Sequence, residues 1–401
     1  MIRAMNPAPP SDGIYLDYHA STPVDPAVIE AMLPWWQHGT GNPHSHEHAF
    51  GWRAAEAVDR ARTQIADLIG ADSQDVIFTS GATDANNLAI LGTMRCGESS
   101  RRTLLTTAID HASILGPASA LREEGFRCIA LPVDPDGFLL RDAFLDALGE
   151  DVLLVSVGAA NNEIGTLQDV PWIADRCHEV GALLHTDAAQ ALTAARPSFS
   201  DWGVDLASLS AHKAYGPQGI GALFIAPGTA RHIRALSFGG GQQLGLKPGT
   251  LPTALCVGFG EACEILQNQG CAERQRIERL RDVLIASALT AIPGAELNGP
   301  REHRHPGNIN LRLPCDDARD VIQRMQPAFA ISSGSACQSG SDQASHVLEA
   351  IGLTGAQARA CVRLGIGRFS TVEDVRAVVG AMASAVTASR ECSCPDVALR
   401  A

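Results

Sequence analysis

The run SLSAHKAYGP, Ser208 to Pro217, carries one of only two lysines in the 401-residue chain; the other is Lys247. Lys and Arg together number 31, so nearly every cation is a guanidinium. Arginine drift in a GC-rich genome is one reading of that scarcity. The other is that a primary amine at Lys213 condenses with a carbonyl, which guanidinium cannot do. Ser210 and His212 sit beside it. ALLHTDAAQ delivers Asp187 at the end of an apolar run, with Gln190 shortly after. DVIFTSGATDANNLAI passes through Ser80-Gly81-Ala82-Thr83 into a helical pattern, and free N–H groups at a helix start beside small residues suit a phosphate. TTAIDHASIL presents His111, and VSVGAANNEIG ends in Asn161-Asn162-Glu163. Each also has an ordinary reading: Thr83 as a helix cap, His111 as a structural histidine, Asn161 to Glu163 as a turn, and Asp187 as the cap of the next helix.

The elements that must position these groups are legible in the spacing. Strands are expected at 75–80, 103–109, 152–158, 182–187, 206–210 and 222–226. Amphipathic helical segments such as VPWIADRCHEVG (170–181) lie between several of them. That alternation implies an α/β fold with a mainly parallel sheet covered on both faces, whose ligands bind at the carboxyl ends of the strands. The polar groups above gather at those ends. Together they supply a phosphate cradle, an imidazole able to stack on a ring, a carboxylate suited to a pyridinium nitrogen and an amine for a Schiff base. That set describes a pyridoxal 5′-phosphate site. Lys213 is the better placed of the two lysines, since Lys247 lies in the Gly-rich run GGGQQLGLKPGT, where a surface role is expected.

After about Leu255 the pattern becomes a long charged helical stretch that includes AERQRIERLRDVLIASAL, its Arg and Glu reading as a solvated face. A smaller α+β segment follows, with GNINLRL (307–313) as a strand and helices near 316–326 and 371–389. Two domains are therefore expected: 17–260, holding the cofactor, and 261–401, joined by the 1–16 arm and carrying Cys337.

The formal net charge of −13 disfavours direct binding of nucleic acid or anionic membranes. The amino terminus lacks the apolar run of a signal peptide, and the longest late apolar stretch, from Ala377, is too short to span a bilayer. A cytoplasmic protein is expected. Eleven scattered cysteines do not suggest a disulfide scaffold. Cys96, Cys128, Cys177, Cys256, Cys263, Cys271, Cys315 and Cys361 read mostly as small buried hydrophobes. Cys337, in SSGSACQSGS, and the C-x-C of Cys392 and Cys394 stand apart. His38, His44, His46 and His48 cluster in sequence, but no cysteine or carboxylate completes a ligand set, and no metal is expected.

At this point the chain resembles the cysteine desulfurases, of the fold type I (class V aminotransferase) group of pyridoxal-phosphate enzymes. YLDYHASTPVDP, GNPHSHEHAFG, FTSGATDANN, NNEIGTLQD, HTDAAQ, SAHKAYGPQGIGAL, SSGSACQSGS and RLGIGRF follow in the family's order nearly end to end. SSGSAC resembles the first subgroup, with its catalytic cysteine on a longer loop. The resemblance implies that Lys213 holds the cofactor as a Schiff base and moves the substrate Cα proton. Asp187 then pairs with the pyridine nitrogen, and His111 stacks on the ring. Gln190 and Asn161 lie near the ring hydroxyl and the substrate. Ala82, Thr83, Ser210 and His212 bind the phosphate, joined by Thr250 from the other subunit of a homodimer. Arg363 clamps the substrate carboxylate. Cys337 takes sulfur from L-cysteine as a persulfide, leaving L-alanine, and passes it to an acceptor protein of iron–sulfur cluster assembly or of nucleic-acid or cofactor thiolation. A selenocysteine lyase or C–S lyase, and a non-catalytic scaffold of a sulfur-transfer complex, are the alternatives. Gln243, Leu244 and Lys247 depart from the family's Glu and Arg residues, which leaves loop charge and subunit contacts open.

Overall fold

The computed structural model describes residues 13–97, 100–334 and 344–393. From the amino terminus, β1 (Ile14–Tyr15), α1 (Pro26–Gln37) and α2 (Ala49–Ile69) precede β2 (Val76–Thr79). An alternating run follows: α3 (Ala82–Met94), β3 (Thr103–Thr107), α4 (Ala112–Glu123), β4 (Arg127–Leu131), α5 (Arg141–Ala147), β5 (Val152–Gly158), α6 (Val170–Glu179) and β6 (Leu183–Asp187). The single-turn helices α7 (Ala191–Ala194) and α8 (Phe199–Trp202) lead to β7 (Leu206–Ser210) and β8 (Gly221–Ile225). The remainder comprises α9 (Thr253–Ala291), β9 (Glu296–Leu297), β10 (Asn308–Arg312), α10 (Ala318–Met325), β11 (Phe329–Ala330), α11 (His346–Ala350), α12 (Gly355–Arg359), β12 (Cys361–Gly365) and α13 (Val372–Ser393).

Seven strands form the main sheet in the order β2-β8-β7-β6-β5-β3-β4. The five strands from β7 to β4 are mutually parallel, and β8 runs antiparallel to β7 and β2. This is the α/β, mainly parallel architecture expected from the alternation. Strands covered on both faces need near-continuous apolar sequence, and VLLVSVG and LASLS provide it. Each fully buried Val, Leu or Phe there stabilises the fold by roughly 1.5–3 kcal/mol. The edge strand β4, RCIAL, was not among the expected strands; its Arg127 and Ala130 are exposed, so no apolar run announces it.

The other edge, β2, is closed by a side chain. Gln243 Nε2 donates to the carbonyl of Phe78 at 2.9 Å, and its Oε1 accepts the Phe78 N–H, as a neighbouring strand would. A glutamine at this departure from the family pattern thus anchors its loop to the sheet.

A second core forms around the sheet β12-β10-β9 with α10 and α13, and Leu16 joins it. β1 pairs in parallel with β11, so the start of the described chain packs on this later unit. The 39-residue helix α9 belongs to both cores: Cys256 to Leu266 pack in the first, and Ile277 to Ala288 in the second. Of the cysteines described, Cys177, Cys256, Cys263 and Cys361 are buried. Cys271 is exposed, against expectation, because it lies on the stretch of α9 between the two cores. Among the described residues no helix is long and apolar enough to cross a membrane.

Candidate active site

Four parallel-strand ends and one small-unit strand converge on a cleft of about 510 Å³. It takes Ala82 and Thr83 from the start of α3, His111 from the N-cap of α4 and Asn161 from the turn after β5. Asp187 and Gln190 enter from the end of β6, Ser210, His212 and Lys213 from the end of β7, and Arg363 from β12. Thr250 is exposed on its loop, outside the cleft. Cys337 and Cys394 lie outside the described residues.

The start of α3 differs from the capped reading. Gly81, not Thr83, is the N-cap, at φ 149°, a conformation that favours glycine. It has no side chain to cap with, so the first-turn N–H groups remain available to a ligand. Lys247 Nζ lies 3.0 Å from Asp84 in that first turn, so it is half-buried and paired rather than a free surface lysine.

Asp187 accepts from the Ala189 N–H at 2.9 Å and from Asn86 Nδ2 at 2.7 Å. Asn86 also donates to Ser113 Oγ at 2.8 Å, and that hydroxyl lies 2.7 Å from His111 Nδ1. The Ser113 N–H donates to the same nitrogen at 3.1 Å. Nδ1 is therefore an acceptor, and the neutral ring carries its proton on Nε2. Asn86 and Ser113 thus link the carboxylate and the imidazole. Beneath them, Asp110 accepts the N–H groups of Thr107 and Gly158 at 2.7 and 2.8 Å, while burial pushes its carboxyl up to about 6.

Lys213 ends a short 3₁₀ turn, and its Nζ donates to the carbonyls of His19 and Ala20, the latter at 2.8 Å. Gln190 Nε2 donates to the same His19 carbonyl at 3.0 Å. His212 is pushed down to about 4 by burial and then by Lys213, so it is neutral at pH 7. Asn161 ties its own turn to the β3–α4 connection, donating to Ile109 O and accepting from the N–H groups of Glu163 and Ile164. Arg363 is 1% exposed; Nη2 pairs with Asp17 at 2.8 Å and Nη1 with Asn162 O at 3.2 Å. Its Nε is buried without a partner among the described residues. Arg363 lines the cleft, and a buried guanidinium with an unpaired N–H suits a carboxylate ligand.

Asp17, His19, Asn86 and Ser113 were missed as site residues. For Asp17, His19 and Asn86 the only signal was membership of the ordered motifs, since their partners lie far away in sequence; Ser113 is close to His111 but lies in none of those motifs. The donor set fits a phosphorylated pyridine aldehyde: an open helix start and a hydroxyl for the phosphate, a carboxylate for the ring nitrogen, and an amine for the aldehyde. The volume falls within the range of cofactor sites.

The model of the family Aminotransferase class-V matches residues 14–378. The cysteine desulfurase IscS of Rickettsia typhi (strain ATCC VR-144 / Wilmington) is 40% identical over 380 residues, covering 95% of this chain and 92% of its own. The cysteine desulfurase of Homo sapiens is 42% identical over 362 residues, covering 90% and 79%. A solved NifS-like protein superposes with a TM-score of 0.87 at 30% identity, covering 94% of this chain and 99% of its own. Members of this family depend in general on pyridoxal phosphate. With an amine, a carboxylate and an open helix start in one cleft, and relatives matched over nearly its whole length, the chain belongs to the class-V aminotransferase family, in its cysteine desulfurase branch.

Proposed function

We propose that this chain binds pyridoxal 5′-phosphate through Lys213 and moves the sulfur of L-cysteine onto Cys337, from which an acceptor protein collects it. The observation that carries the reading is the convergence of Lys213, Asp187, the start of α3 and Arg363 on one cleft. When bound, the cofactor is an electron sink that makes the substrate Cα proton acidic and the Cβ–sulfur bond labile.

The chain's own residues do the rest. Ala82 and Thr83 N–H groups, Ser210 and His212 hold the phosphate, and Asp187 holds the ring nitrogen protonated. His111 stacks on the ring, its orientation set by Ser113, and Gln190 and Asn161 line the ring-hydroxyl and substrate side. Arg363 binds the substrate carboxylate, and Lys213 moves the Cα proton. The Cys337 thiolate attacks the substrate sulfur: the Cβ–S bond breaks, an S–S bond forms, and Cβ gains a proton to give L-alanine. Mass spectrometry after incubation with L-cysteine is expected to show one added sulfur on Cys337 and an equal amount of alanine. Sulfide release by Cys337→Ala at the wild-type rate, with no added thiol, would overturn the persulfide route in favour of a C–S lyase.

The working unit is a homodimer in the cytoplasm, its two cores forming a large and a small domain. Phe238 (82% exposed) and Leu244 (66% exposed) on the loop carrying Thr250 support a partner surface there. Mixing Lys213→Ala and Thr250→Ala chains should regain activity that neither has alone, because one site in each mixed dimer is then intact. The acceptor belongs to iron–sulfur cluster assembly or to a thiolation route.

A further inference from the structure

Tyr215, two residues after Lys213, has a φ of 62°, uncommon for a large side chain, and is 2% exposed. Strained backbone persists only where its surroundings hold it. Here the main chain is held at both ends: its N–H donates to Thr22 Oγ1 at 2.8 Å, and its carbonyl accepts from the Asp25 N–H at 2.9 Å. Thr22 also bonds the His212 carbonyl through both its N–H, at 2.8 Å, and its hydroxyl, at 3.0 Å. The turn that ends in Lys213 is therefore laced along its length to residues 19–25.

Arg368, just after β12, grips both halves of that arrangement. Its guanidinium lies 4.1 Å from the Tyr215 ring centroid, and its backbone N–H donates to the Tyr215 hydroxyl at 2.8 Å. Its Nη1 bonds Asp25 at 2.6 Å and its Nε bonds Glu273 on α9 at 2.7 Å. Asp25 is the residue whose N–H holds the Tyr215 carbonyl. Arg276 fixes the segment from the other side, donating to the carbonyls of Gly367, Arg368 and Ser370. A Cβ on Gly367 would fall 2.6 Å from the Tyr215 hydroxyl, so the approach needs that glycine.

We propose that Tyr215 and Arg368 are a positioning pair through which the small unit sets the direction in which Lys213 enters the cleft. The inference rests on Lys213 as the cofactor lysine. Arg368 acts through Tyr215 and Asp25 and touches no reacting atom. Arg363 lies on β12 and Arg368 just after it, so substrate clamp and amine share one mounting.

The test compares full-length wild type with Arg368→Met, Arg368→Lys and Tyr215→Phe. In cofactor-free protein, amide exchange over residues 211–216 is expected to quicken by about tenfold in Arg368→Met, with β5 and β6 unchanged. With pyridoxal phosphate and L-cysteine, kcat is expected to fall by about 10- to 100-fold with KM little changed, the effect of misplacing a reacting group from a distance. The pH titration of the bound cofactor's visible band should shift as well. Arg368→Lys should recover part of each effect, and Tyr215→Phe, which loses only the hydroxyl contact, should show them more weakly. Unchanged exchange over 211–216 in Arg368→Met, or unchanged kcat and band titration in a folded Arg368→Met, would overturn the inference. If Arg368→Met does not fold, Tyr215→Phe decides by the same readouts. If the wild type makes no alanine, the proposed function fails separately, and the exchange comparison still judges the clasp.

Discussion

Replacing Lys213 with arginine is expected to leave a folded protein that cannot retain pyridoxal phosphate covalently and makes no measurable alanine from L-cysteine. Arginine is the informative substitute because it keeps a positive charge beside the His19 and Ala20 carbonyls that Lys213 Nζ now contacts. It cannot form a Schiff base, nor exchange a proton near neutral pH. Loss of a positioned proton-transfer group alone costs about 10²–10⁴-fold in rate, and loss of covalent anchorage adds to that. The chain's lysine poverty makes the readout simple. Borohydride treatment of the loaded wild type should fix the cofactor on the peptide containing Lys213, with Lys247 the only other lysine available. Label on Lys247, already paired with Asp84, or wild-type turnover by Lys213→Arg, would refute the assignment.

The second large effect is on stability and follows from histidines buried in the neutral state. His185 lies between two hydroxyls, with Ser156 Oγ 2.8 Å from Nδ1 and Ser208 Oγ 2.9 Å from Nε2. Burial pushes its ring down to about 4. His305 is pushed down to about 3 by burial and then by Arg281 and Arg304, and burial drives His19 well below its usual value. A group depressed on folding takes up its proton first in the unfolded chain. The stability it contributes is therefore complete above pH 6.5 and drains as pH falls toward the folded value. The slope is about 1.4 kcal/mol per pH unit for each such group. Asp110 acts oppositely: its folded value of about 6 lies above the unfolded one, so the folded state gains between pH 6 and pH 4. Asp110 against the depressed histidines, His212 among them, leaves a net loss of stability between pH 7 and pH 5. Thermal melts of the cofactor-free protein should show Tm falling by several degrees over that interval. His185→Gln, with no proton to take up, should flatten the fall; a Tm that does not move would refute the account.

Sequence reading reached the strand ends well because parallel strands buried on both faces must be written as apolar runs, and chemistry placed at their ends falls just after those runs. VLLVSVG and LASLS match β5 and β7 residue for residue. What stayed hidden depended on partners distant along the chain. Asn86 serves Asp187 from 101 residues away, and Asp17 meets Arg363 across 346. Neither link leaves a local periodicity. The start of α3 stayed ambiguous for a different reason: by composition a threonine near a helix start reads as a cap as readily as part of a phosphate cradle, whereas an uncapped start at Gly81 shows only in its dihedral angle.

The shared helix α9 has a consequence for how the molecule comes apart. At about 1.5 Å per residue, its 39 residues form a rod about 58 Å long. Two hydrophobic cores in one chain can melt in separate steps when only a linker joins them. Here each core is clamped to half of the same rod, so releasing either one strips half a helix of the packing that maintains it. The two halves of this protein are therefore bound to a common fate, and heat should take them in a single cooperative transition.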